Sequence, residues 1–168
     1  LKKYIRPSQP SHLRSFALSL LLELEKEDAF STVLKALSDD DGAYRRTALE
    51  GTRSFISPII NSALINKMKR LDAPAQADVL EFLGSQHNPA LAGYIADPWL
   101  SHDNPRVAEA SARALLQTGG KESLQLLTGL LASDNTRLTA MALENLLSMQ
   151  GNVVEAVMEV YAEASDPG

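Results

Sequence analysis

Asp103-Asn104-Pro105-Arg106-Val107-Ala108-Glu109-Ala110-Ser111-Ala112-Arg113-Ala114-Leu115-Leu116 is the stretch on which the fold turns. A polar turn and a proline lead into a run whose small and apolar residues Val107, Ser111, Ala112 and Leu115 stand at 0, +4, +5 and +8, one stripe of an amphipathic helix. The same register recurs outward from it, at Leu13-Arg14-Ser15-Phe16-Ala17-Leu18, Tyr44-Arg45-Arg46-Thr47-Ala48-Leu49, Ala75-Gln76-Ala77-Asp78-Val79-Leu80 and Leu138-Thr139-Ala140-Met141-Ala142-Leu143. Successive starts lie 31, 31, 32 and 31 residues apart. A fixed period of this length marks a repeat whose units cannot bury their apolar faces alone.

A second set of columns precedes these helices: Val33, Leu64, Ala96, Leu127 and Met158, with Leu37, Met68, Leu100, Leu131 and Ala162 four residues later. Each repeat therefore holds a first and a second helix. The +4 column of the second helix (Ala17, Ala48, Val79, Ser111, Ala142) is small and lets neighbouring backbones approach. Asp41, Asp72, Asp103 and Asp134 recur every 31 residues where a carboxylate can cap the second helix. Pro74 and Pro105 follow where no intrahelical N–H is needed. Thr118-Gly119-Gly120 and Gln150-Gly151-Asn152 supply helix stops. The one extra residue falls between Leu83 and Ala96. Pro98 should kink or split its first helix, leaving the adjacent Trp99 to pack inside.

These residues resemble HEAT repeats over nearly the whole chain. The family pattern is a helix, an Asp-containing turn, a Val-Arg pair and a second helix rich in Ala and Leu; Leu13-Arg14 and Tyr44-Arg45 keep the apolar-Arg pair. Gln76, Ala108 and Thr139 depart from it, with Arg106 and Arg137 two residues earlier, so a continuous Asp–Arg ladder is not expected. The period is similar to that of short HEAT-like repeats in bacterial proteins. The resemblance implies an all-α, right-handed α-α superhelix, a solenoid of about five helical hairpins.

Chemistry is sparse. The absence of cysteine removes disulfides, thiolate metal sites and thiol nucleophiles together. His12, His87 and His102 are scattered over the repeats, and no nucleophile elbow, zinc-protease or phosphate-loop spacing occurs. Asp39-Asp40-Asp41-Gly42 has the acidic start of a calcium loop without its remaining ligand spacing or closing Glu, and reads better as a helix cap. No catalytic residue, metal ligand or cofactor is assigned. The net charge is −5, and the Lys67, Lys69, Arg70, Arg45, Arg46 and Arg53 concentration contains Glu50, while the one tryptophan, Trp99, lies in the acidic second part of the chain. That pattern argues against nucleic acid. No apolar run suits a bilayer span.

If 0, +4, +5 and +8 are buried, then −1, +2, +6 and +10 point away from them at 100° per residue. In HEAT proteins this row lines the concave surface. Its charged members, Arg46, Glu50, Glu81, Arg106, Glu109, Arg113, Arg137 and Glu144, form the candidate interaction face. Arg46–Glu50 and Glu109–Arg113 are i,i+4 pairs, and Ala77 belongs to the same outward row.

The expected function is a non-catalytic protein–protein interaction or spacer module, recognising a protein partner or a neighbouring domain. The alternatives are an accessory domain of a secreted bacterial hydrolase of sulfatase-like or sugar-processing type, or a HEAT-like lyase, chaperone or nucleic-acid-binding domain. The phase of the repeat makes residues 1–168 one repeat domain cut mid-repeat at both ends, with Leu1–Ile5 the tail of a first helix and Ser165-Asp166-Pro167-Gly168 the turn of a further repeat. Tyr4, Ile5, Val154, Met158 and Tyr161 would then fold back on the end repeats or support end-to-end self-association. The lack of cysteine and of any anchor leans toward a soluble periplasmic or secreted protein.

Overall fold

The computed structural model describes residues 1–132 and 136–148. Asp134, Gln150-Gly151-Asn152, Val154, Met158, Tyr161, Ala162 and Ser165–Gly168 lie outside the described residues. Every regular element among those described is helical, and no helix there is long and apolar enough to cross a membrane. The chain divides into two compact units, Leu1–Phe82 and Leu83–Gly168.

The first unit contains α1 (Ser11–Glu25), a 3-10 turn (Lys26–Ala29) leading into α2 (Phe30–Ala36), α3 (Gly42–Gly51), α4 (Pro58–Met68) and most of α5 (Ala73–Gly84). The second contains α6 (Ala92–Ala96), α7 (Pro105–Thr118), α8 (Gly120–Gly129) and α9 (Thr136–Ser148). In repeat terms α1, α3, α5, α7 and α9 are second helices, and the others are first helices. Within the first unit α1 packs on α3, and α2 on α3; within the second, α7 packs on α6, α8 and α9.

The predicted stripe is the core. All four stripe positions of α3, α5 and α7 are buried, as are Ala17, Leu18 and Leu21 of α1. Ser111, the polar member of the small column, is fully buried and donates to the Ile95 carbonyl of α6 at 2.7 Å. Leu143 departs from its column and is exposed. Ala77, expected to face solvent, is buried; a methyl group rises too little above the backbone to stay clear of its longer neighbours.

The helix signals act locally with two corrections. Asp41 accepts the N–H groups of Ala43 (2.9 Å) and Tyr44 (3.2 Å), and Asp72 accepts that of Ala75 (3.0 Å). At α7 the cap is Asn104, which accepts the Arg106 N–H at 3.0 Å, while Asp103 is exposed. The repeat steps by 32 residues here, so the capping position slides one residue past the aspartate. Leu1–Ile5 forms a turn rather than a helix tail, closed by the Tyr4 N–H on the Leu1 carbonyl at 2.8 Å. Pro7 bars its preceding residue from the α region. The first helix before Pro98 stops at Ala96, with Trp99 buried against His102, ring centroids 6.1 Å apart. Gly119, at φ 72°, ends α7.

Successive second helices meet in one register. The +9 residue of one lies against the +7 residue of the next: Leu22 against Gly51, Arg53 over the Phe82 ring at 5.2 Å, and Gly84 against Ala114. The +1 position, unremarked in the stripe, is also buried at Arg14, Arg45, Gln76 and Ala108. Arg45 pairs there with Asp78, the +3 residue of α5. Arg14 instead pairs with Asp39 in the turn before α3, its guanidinium 4.1 Å from the Tyr44 ring centroid. Gln76 donates to the Met68 carbonyl at 3.5 Å, which interrupts the ladder where the arginine is lost.

Candidate functional site

In the first unit the outward row of the second helices surrounds an open depression of about 510 Å³, lined by Ser19 of α1 and Ala43, Arg46, Thr47, Glu50 and Gly51 of α3. The hollow exists because Ser19, Ala43 and Gly51 are small. Arg46 and Glu50 supply a cation and an anion one helical turn apart. They do not pair with each other. Arg46 NH1 reaches Asp78 Oδ1 of α5 at 3.4 Å, and Glu50 is held by Arg53, whose NH2 donates to Oε1 at 3.0 Å. The expected Arg46–Glu50 pair gives way because each residue has a competing partner: the buried Asp78 carboxylate draws Arg46, and Arg53 stands at i,i+3 from Glu50. The Glu50 hydrogen bond holds the Arg53 guanidinium above its ordinary pKa. Glu81 is exposed on α5.

A polar cluster joins α1 to the turn before α3. Asp39 accepts from Arg14 and from the Asp41 N–H, and Asp41 in turn accepts from Ser11. Burial is the largest influence on the Asp39 carboxyl and pushes it up, but the hydrogen bonds from Arg14 and Asp41, with the Arg14 charge, outweigh it and leave Asp39 below the usual carboxylate value. The Ser11 hydrogen bond, aided by the Tyr44 and Ala43 N–H groups, lowers Asp41 as well. The Asp39 and Asp41 carboxylates are therefore engaged in chain geometry, and at Asp40 it is the backbone carbonyl that accepts from Arg45, at 3.2 Å.

In the second unit Arg106, Glu109 and Arg113 stand on α7, and Arg137 and Glu144 on α9. Arg106, Arg113 and Glu144 are exposed. Glu109 Oε1 lies 3.9 Å from Arg137 NH2, joining two successive second helices. His102 Nδ1 accepts the Asn104 N–H at 3.0 Å, and His87 Nδ1 lies 2.7 Å from the Gln117 carbonyl. His102 serves its own turn, whereas His87 ties the loop after α5 to the end of α7. Among the described residues no three metal-ligating side chains come together.

Arg53 is the member of this face that the outward row omits. It stands at +9, and the available signal was its i,i+3 spacing from Glu50. Asp78 was likewise hidden, since a carboxylate at +3 reads as solvent-facing until Arg45 is seen to lie buried opposite it.

No curated protein matches the chain. The family model for HEAT repeats matches residues 61–148, more than half of the chain. With paired helices, capped turns and a buried stripe repeating at 31–32 residues, the chain belongs to the HEAT repeat family.

Proposed function

We propose that this chain is a non-catalytic scaffold that docks a protein partner, or a neighbouring domain, on the outward row of its second helices. The observation that carries this reading is the open Arg46–Glu50 depression, which presents both charge signs and has no aromatic residue in its lining. Arg106, Glu109, Arg113, Arg137 and Glu144 extend the same chemistry in the second unit, and Glu81 on α5 belongs to the same row. Contacts of this kind fix register and speed encounter, and they weaken with salt. Arginine is favoured at interface hot spots, so Arg46 and Arg113 are the anchors.

The test is photo-crosslinking in the native host from Ser19, Arg46 and Arg113, compared with Lys67 and Glu122 on first helices. The same protein should crosslink from the second-helix positions only. Arg113→Glu should abolish those crosslinks while leaving the melting temperature nearly unchanged, whereas Arg46→Glu should abolish them and also lower the melting temperature, because Arg46 reaches the buried Asp78 carboxylate. Crosslinks confined to first helices, or indifferent to charge reversal, would sink the proposal.

A further inference from the structure

Three guanidinium groups and two carboxylates meet around the depression of the first unit. Arg45 satisfies Asp78, with Nε 2.7 Å and NH2 2.6 Å from Oδ2 and both side chains buried. Glu50 is equally engaged: both of its oxygens accept from Arg53, whose guanidinium lies over the Phe82 ring at 5.2 Å. Arg46 is the cation left over. One contact, NH1 to Asp78 Oδ1 at 3.4 Å, ties down a side chain that is 58% exposed. A long contact from an exposed arginine adds little, and Arg45 stays on Asp78 when Arg46 turns away.

The acidic residues nearby do not balance Arg46. Asp39 is held by Arg14, and Asp41 accepts the Ala43 and Tyr44 N–H groups and the Ser11 hydroxyl. Asp40, Glu23 and Glu81 are exposed and stand outside the lining. The depression thus holds one surplus positive charge, carried by its most loosely tethered side chain.

We propose that this depression receives an acidic side chain of the partner protein, its carboxylate taken by the Arg46 guanidinium; this rests on the docking face proposed above and names the chemistry of what docks. Charge complementarity selects the occupant. One surplus cation matches one carboxylate, and Glu50, fixed one helical turn away, repels a second. Ser19 supplies a hydroxyl donor from α1, across the hollow from α3. A nucleic-acid backbone, charged at every unit, would meet Glu50 and find no aromatic in the lining on which a base could stack.

NMR titration of the full chain tests this, with three capped pentapeptides identical except for a central glutamate, glutamine or lysine, and with inorganic phosphate. The glutamate peptide should shift the amide signals of Ser19, Ala43, Arg46 and Thr47 saturably, binding about tenfold more tightly than the glutamine peptide, as one charge-assisted contact implies. The lysine peptide should leave those signals in place. Arg46→Gln should erase the preference for glutamate, and Glu50→Gln should strengthen it severalfold, with circular dichroism checking that both variants keep their helix content. Equal binding of the glutamate and glutamine peptides overturns the proposal, as does a preference for lysine. Phosphate binding as tightly as the glutamate peptide would mean a simple anion site and overturns it too. If the peptides fail while crosslinks from Ser19 and Arg46 persist in the native host, the acidic occupant is wrong and the docking face stands.

Discussion

Arg45 of α3 and Asp78 of α5 form an ion pair sealed from solvent: Arg45 Nε donates to Asp78 Oδ2 at 2.7 Å, NH2 lies 2.6 Å from the same oxygen, and the side chains are 4% and 3% exposed. The guanidinium also donates through NH1 to the carbonyls of Asp39 (2.8 Å) and Asp40 (3.2 Å). One side chain thus ties a second helix to its successor and to the turn that caps it.

Removing one partner from this pair should hurt more than removing both. Arg45→Met leaves a buried carboxylate with only Arg46 at 3.4 Å, and should cost about 3–5 kcal/mol. The double variant Arg45→Met/Asp78→Leu should recover most of that loss, because apolar side chains of similar volume replace buried ion pairs at little cost. Urea denaturation of the two singles and the double measures the coupling. Additive losses would contradict the pairing.

Acid should loosen the first unit through Asp39 and Asp41. Both carboxyls titrate below their ordinary value when folded, so the unfolded chain binds more protons in that range and stability rises with pH. The contribution is complete above the ordinary carboxylate pKa of about 3.9 and is lost as pH falls below it through the folded values. Asp39→Asn should flatten the acid limb of the melting temperature against pH and lower the plateau. An acid limb of unchanged slope would count against this account.

Two glycines should differ on substitution. A Cβ on Gly84 would lie 2.5 Å from the Ala114 Cα and 2.8 Å from its carbonyl oxygen, both backbone atoms that cannot step aside. Gly84→Ala should therefore cost about 1–3 kcal/mol by overpacking, despite the better helix propensity of alanine. A Cβ on Gly51 meets the side chain of Leu22, which can change rotamer. Gly51→Ala should cost less, and thermal melts of the two variants give the ordering.

Leu80 and Leu143 share the +5 column but not its burial. Leu80→Ala empties a fully buried site and should cost about 2–5 kcal/mol. Leu143→Ala, at a half-exposed site, should cost less than about 1 kcal/mol in the monomer. Equal losses would mean that α9 is covered in solution as the interior helices are.

The period, the hairpin, the second-helix stripe and the Asp caps at 41 and 72 were legible in the sequence because each arises from local geometry: 3.6 residues per turn sets the stripe, and a cap needs only its own first turn. The shift from Asp103 to Asn104 was readable in principle, since the extra residue was located but not carried through to the capping column. The exposure of Arg46, Glu50, Glu81, Arg106, Arg113 and Glu144 followed from the same periodicity, although the Arg46–Glu50 pairing did not. Arg46 turns from Glu50 to Asp78, and Glu109 lies near Arg137, because such choices depend on which charges other helices bring within reach. By itself, then, the sequence determined an all-α HEAT repeat protein and which residues form its core. Only the tertiary structure decided that Arg45 and Asp78 are buried together, that Glu50 pairs with Arg53 and that Leu143 is half-exposed, since charge pairing and exposure are properties of neighbouring helices in space, which a single helix's periodicity does not encode.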